Sequence, residues 1–180
     1  AYKGGYLAVA VEAPTKTDNG WVALFDATSL EMLGYEQVGA QPDMVTFTPD
    51  GEYVLTANEG EPSTDYQIDP VGSISILGVS EGQLVDVRTA GFSAFNTQAD
   101  ALRSAGVRIY GPNASVEQDL EPEYIAISSD SSTAWVSLQE NNALAKVDIA
   151  TATVTDILPL GYKDHGTAGN GLDVSDSDDA

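Results

Sequence analysis

Residues 42–58 read PDMVTFTPDGEYVLTAN, and residues 122–138 read PEYIAISSDSSTAWVSL. Pro42 aligns with Pro122, Asp43 with Glu123 and Asp50 with Asp130, all at a constant offset of 80 residues. Each stretch runs acid, apolar alternation, polar turn, apolar alternation. Alternation with period two marks a strand with one buried face. Pro49-Asp50-Gly51 in one copy and SSDSST (128–133) in the other are tight-turn sequences between two such strands. A small β unit repeated along a chain cannot bury its apolar face alone, so its neighbours must stack on it.

Working outward extends each hairpin to four strands. Gly72–Val79 and Leu84–Thr89 follow the first copy and flank Ser80–Gln83. Ala143–Asp148 and Thr153–Leu158 follow the second and flank Ile149–Ala152. Upstream, Tyr6–Val11, Trp21–Asp26 and the weaker Met32–Val38 also read as strands. Strand, tight turn, strand, long polar loop, strand, tight turn, strand is one blade of a β-propeller. The sequence therefore predicts an all-β fold, a β-propeller of four-stranded blades. Residues 6–38 supply the last three strands of a first blade, 42–91 form a second and 119–160 a third. Trp21 and Trp135 fall within strand patterns and are expected in the core.

One segment, 93–118, breaks the pattern and reads as a short helical insertion. Phe95, Ala99, Leu102 and Ala105 lie near helical spacing, with Thr97 as N-cap and Gly106 just past the end. Val107–Tyr110 then reads as strand-like. Residues 163–180 read as a Gly-rich, then acidic, loop. Propellers close with about four to eight blades. This chain holds about three, so the ring is expected to be completed by further residues or another chain.

Composition bounds the function. The 180 residues carry 28 acids against seven bases, a formal net charge of −21. That field repels nucleic acid and anionic membranes, favours solubility and attracts cations. Hydrophobic residues make up 42%, as in a globular chain. There is no cysteine, which excludes disulfides, thiolate catalysis and zinc–sulfur sites. No apolar stretch is long enough for a membrane span. Phosphate-loop and dinucleotide fingerprints are absent, as is the G-x-S-x-G of a serine hydrolase.

Blade geometry sorts the loops onto two faces. The tight turns occupy one face, and the loops between the second and third strands and between blades occupy the other. That second face gathers the acids. Glu12, Glu59 and Glu140 each follow a second strand, while Asp43 and Glu123 open first strands. Glu61, Glu121 and Asp164 belong to the same set of loops. Clustered carboxylates with Asn and carbonyl oxygens suit a hard cation, above all Ca²⁺. Strand-end caps or a solvated surface would use the same residues. The tail spacing Asp173, Asp176, Asp178 resembles the start of a calcium loop but lacks its Gly and distal Glu. His165, the only histidine, is a candidate metal ligand or general acid–base.

NEGEP at 58–62, LEPEY at 120–124 and LQENNA at 138–143, with GNGLD at 169–173, carry a family resemblance. Over about Tyr6 to Asp173 the chain resembles the bacterial choice-of-anchor I proteins and the related mesenchyme-specific cell-surface glycoproteins. The resemblance implies a longer, exported β-propeller, extracellular, at the cell surface or periplasmic. It marks Glu59, Glu61, Glu121, Glu123 and Glu140 as motif positions. Some bacterial relatives are alkaline-phosphatase-like. Three functions are thus expected to compete. One is a calcium-binding module whose acidic face holds a polysaccharide or mineral. The second is a metal-dependent phosphomonoesterase acting on phosphate esters with His165 assisting. The third is a structural spacer.

Overall fold

The two copies of the repeat close into the same hydrogen-bonded turn. Thr48 Oγ1 donates to Asp50 Oδ1 at 2.5 Å and accepts the Tyr53 N–H at 3.0 Å, while Asp50 Oδ1 accepts the Glu52 N–H at 3.0 Å. Eighty residues on, Ser128 Oγ donates to Asp130 Oδ1 at 2.6 Å and accepts the Thr133 N–H at 3.0 Å. Asp130 Oδ1 accepts the Ser132 N–H at 3.1 Å. A short hydroxyl and a carboxylate replace main-chain partners that a tight turn leaves open. The two turns also touch, since Asp50 N–H donates to Ser131 Oγ at 3.1 Å.

The computed structural model describes residues 1–172, which form three four-stranded antiparallel sheets. The first comprises β1 (Tyr2–Lys3), β2 (Tyr6–Val11), β3 (Asn19–Asp26) and β4 (Met32–Ala40). The second comprises β5 (Pro42–Phe47), β6 (Tyr53–Asn58), β7 (Ser73–Ser80) and β8 (Gln83–Gly91). The third comprises β9 (Ile125–Ile127), β10 (Thr133–Leu138), β11 (Ala143–Asp148) and β12 (Thr153–Pro159). The two-residue β1 supplies the first sheet with a fourth strand, too short to register as alternation. In every sheet neighbouring strands are consecutive in sequence, as tight turns dictate. First strands meet across sheets, β1 against β5 and β5 against β9.

The middle sheet is buried on both faces. From β6, Val54 turns to the first sheet and packs with Val22, Leu24 and Leu77, while Leu55 and Ala57 turn to the third, with Val136, Leu138 and Ile157. Each fully buried aliphatic side chain contributes roughly 1.5–3 kcal/mol.

Trp21 and Trp135 are not in this core, contrary to expectation. Cross-strand register puts Trp21 on a face with Val11, opposite Gln37, and Ala23 opposite Tyr35. Val11, Trp21, Ala23, Met32 and Tyr35 line an open hollow of about 240 Å³. Trp135 is 37% exposed on the outer face of the third sheet, with Lys146 Nζ 5.8 Å from its ring centroid. Alternation shows which residues share a face. It does not show whether another sheet covers that face.

The insertion contains two short helices. Ser93–Gln98 forms a 3-10 turn leading into α1 (Ala99–Ala105), which Gly106 ends at φ 106°. Gln98, not Thr97, precedes α1, and it makes no side-chain cap. α2 (Val116–Asp119) carries a capping box in which Ser115 N–H donates to Gln118 Oε1 at 3.0 Å. The expected strand at Val107–Tyr110 does not form. Val107 and Ile109 are buried, but their segment bonds to side chains and loops instead of a ladder. Arg103 Nε donates to the Ile109 carbonyl, and the Tyr110 N–H donates to Asp119 Oδ2, each at 3.0 Å. Docking an irregular segment on a core produces the same alternation as a strand. No helix among the described residues is long and apolar enough to cross a membrane.

Candidate functional site

The acids gather where β6 and β10 end and β5 and β9 begin. Gln41, at φ 53°, sits between β4 and β5, and its Nε2 donates to Glu59 Oε2 and Glu61 Oε2, each at 2.8 Å. Its carbonyl accepts the Glu59 N–H at 3.0 Å. Gly60 follows at φ 67°, where a Cβ would press on the Val71 carbonyl 2.7 Å away. At Gly72 a Cβ would overlap the Leu120 carbonyl oxygen, so the end of the 59–72 loop packs on the segment between α2 and β9 only because that side chain is absent.

Asn141 organises the opposite wall. Fully buried, it donates from Nδ2 to the carbonyls of Asp119 (2.6 Å) and Arg108 (2.9 Å), and its Oδ1 accepts the Glu121 N–H at 3.1 Å. Asn142, at φ 54°, donates to the carbonyls of Gly106 (3.3 Å) and Gly161 (3.1 Å). The LQENNA stretch thereby fixes LEPEY, and with it the direction of Glu121.

Electrostatics show how closely the carboxylates approach. Burial, then Asp43, Glu61, Glu123 and Glu121, push Glu59 up to about 7. Burial, then Glu140, Glu61, Asp119 and Asp69, push Glu121 up to about 7. Glu123 is raised by burial, Glu140, Asp43 and Glu61. Each ionised neighbour makes the next charge harder to hold. Only Glu61 moves the other way, lowered by hydrogen bonds from Lys16 and Gln41. Lys16 Nζ lies 2.8 Å from Glu61 Oε2. Three buried oxygens of the region lack a hydrogen-bond partner: Gln41 Oε1, Asp69 Oδ1 and Glu140 Oε2. Yet among the described residues no group of three Asp, Glu or His converges tightly enough to form a metal cage.

The profile of the choice-of-anchor I domain matches residues 1–180, and so spans the repeated sheets, the acid-lined end and the three motif stretches. The chain belongs to the choice-of-anchor I family. This is a surface-anchor-type β-propeller domain. A comparison with curated proteins gives no match. Solved structures share the choice-of-anchor I fold at low identity. The Swd1 β-propeller domain of Myceliophteria thermophila is 11% identical with a TM-score of 0.52, over 88% of this chain and 45% of that one. A putative 6-phosphogluconolactonase from Bacteroides uniformis is 15% identical (TM-score 0.52, 88% and 41%). The periplasmic gluconolactonase of Pseudomonas aeruginosa is 17% identical (TM-score 0.50, 84% and 37%). This choice-of-anchor I chain thus spans less than half the length of these propellers.

Of the acids singled out from sequence, Asp43, Glu59, Glu61, Glu121, Glu123 and Glu140 act on one another's charge. Asp164 and His165 do not enter that set. Asp164 accepts the Gly166 N–H (2.9 Å) and the Thr167 hydroxyl (3.0 Å), and His165 Nδ1 lies 2.6 Å from the Asn170 carbonyl. Both are thus engaged within their own loop. Asp173, Asp176 and Asp178 lie outside the described residues. Lys16, Tyr66 and Tyr110 join the site without having been expected. They line a cleft of about 340 Å³ with Glu61, Glu121 and Glu140. None of the three was singled out from the sequence, and folding brings them to the acids.

Proposed function

We propose that this choice-of-anchor I domain is an exported binding module whose acidic mouth takes cations, Ca²⁺ being the simplest. The observation that carries the reading is the mutual effect of Glu59 and Glu121 with their neighbours. Two carboxyls are driven to about 7, and among the described residues Lys16 is the one base hydrogen-bonded to the cluster. A positive ion would relieve that repulsion. The donor chemistry fits a hard cation, because every unpartnered atom at the mouth is an oxygen. Glu59, Glu121, Glu123 and Glu140 would supply the ligands. With no preformed cage of three, water would fill much of the coordination shell. Family membership supports export and a surface role.

Thermal unfolding with Ca²⁺ at about 2 mM and with excess chelator tests this. A ligand bound only by the native state stabilises it by about 2.7 kcal/mol at 100-fold excess over Kd, so the midpoint rises by several degrees. An unchanged midpoint removes the cation site and leaves the spacer role. The phosphomonoesterase alternative gains no support from geometry, since among the described residues no group of three Asp, Glu or His converges to hold its metal.

A further inference from the structure

Two tyrosines stand at the acidic mouth, outside the strands of the three sheets. Tyr66 is 53% exposed and Tyr110 is 54% exposed. They come from separate insertions, the 59–72 loop and the segment after α1. Together they line the cleft of about 340 Å³ and a small recess of about 30 Å³ that shares Pro62 and Glu121 with it. Tyr66 is held at φ 55°, an unfavourable conformation for a bulky residue. A tight loop enforces it: Tyr66 N–H donates to the Ser63 carbonyl and Ser63 N–H to the Ile68 carbonyl, each at 2.8 Å. Tyr110 has the Arg108 guanidinium 5.1 Å from its ring centroid. The Tyr66 main chain and the Tyr110 ring are therefore held, yet half of each residue faces water.

The rest of the cleft is chosen for positive charge. The chain's own ammonium, Lys16 Nζ, already sits on Glu61 at 2.8 Å. Among the described residues Glu121 and Glu140 have no such partner, and Glu140 Oε2 is buried without a hydrogen bond. Aromatic faces beside carboxylates bind an organic cation through both the ring quadrupole and ion pairing. The volume lies at the low end for small-molecule sites, roughly 300–1,000 Å³. A lysine side chain offers only a slender stem to such rings. The C–H face of a pyranose chair covers more of them, and its hydroxyls donate to the carboxylates.

We infer that the cleft between Tyr66 and Tyr110 is a glycan subsite for a hexosamine, a pyranose bearing a free ammonium group. The inference rests on reading the mouth as a cation site. The ammonium lies against Glu121 and Glu140, and the ring's C–H face stacks on tyrosine. N-acetylated, sulfated and uronic sugars lack the charge or carry the wrong one.

Calorimetric titration of the whole chain with a glucosamine oligosaccharide and its N-acetylated counterpart tests the assignment. The amine form should bind at least about tenfold more tightly. Tyr66→Ala and Tyr110→Ala should each weaken binding about tenfold while the melting midpoint stays near that of the unmodified chain, and Tyr66→Phe should retain binding. Equal binding of both sugars, or binding indifferent to both alanine variants, overturns the inference. Tighter binding of an oligolysine peptide than of the sugar also overturns it and assigns the cleft to a protein partner. If neither sugar binds but Ca²⁺ still raises the midpoint, the inference fails alone. If neither ligand has an effect, the cation reading falls with it.

Discussion

Asn141 Nδ2 lies 2.6 Å from the Asp119 carbonyl, and the bond ties a loop of the third sheet to the end of the helical insertion. The same side chain accepts the Glu121 N–H and donates to the Arg108 carbonyl, so one buried amide joins three segments. Replacing it with alanine takes a partner from three main-chain groups, one in a buried bond and two in part-buried ones. Asn141→Ala should therefore cost about 2–4 kcal/mol in urea unfolding. Cation binding at Glu121 should weaken as well, because its main chain loses its anchor.

The acidic mouth makes stability fall as pH rises. Glu59 and Glu121 titrate near 7 when folded and near the ordinary carboxylate value when unfolded. Between those values the native state holds protons that the unfolded chain has released, so stability declines across that window and levels off above it. The melting midpoint should be higher at about pH 5.5 than at about pH 8. Glu121→Gln should flatten the slope. A slope of opposite sign in the absence of divalent ions would contradict the charge arrangement.

Calcium should act most at the upper end of that window, where the carboxylates are ionised. The midpoint gain from Ca²⁺ should be larger at about pH 8 than at about pH 5.5. Glu59→Gln with Glu123→Gln should reduce it. A gain independent of pH would place the ion elsewhere.

The repeated turn predicts an asymmetry between its copies. Thr48 is fully buried, and its hydroxyl serves both Asp50 and the Tyr53 N–H. Thr48→Val removes both bonds and should cost about 1–3 kcal/mol. Ser128 makes the equivalent bonds near the surface, where water can replace them, so Ser128→Ala should cost less. Equal losses in denaturant melts would show that burial is not what separates the copies.

Trp21 and Trp135 lie on the two outer faces of the three-sheet array. Their fluorescence should be that of partly solvated indoles and should shift to shorter wavelength in any longer chain or complex that covers those faces. An emission already characteristic of buried indole would contradict the exposed placement.

The repeat at residues 42–58 and 122–138 determined the sheets, because period two and turn chemistry are local properties of the chain. Strand limits agree with it to within two residues for most elements, β2 and β11 among them. The acids of one face were legible for the same reason, since each sits at a fixed place relative to a strand end. Tertiary structure alone decided which acids interact. It set Glu59 and Glu121 among their neighbours and kept Asp164 and His165 within their own loop. It also brought Lys16, Tyr66 and Tyr110 to the cleft, and left Trp21 and Trp135 at the outer faces. Charge repulsion, desolvation and burial depend on distances between segments far apart in sequence, and a pattern within one segment carries no record of them.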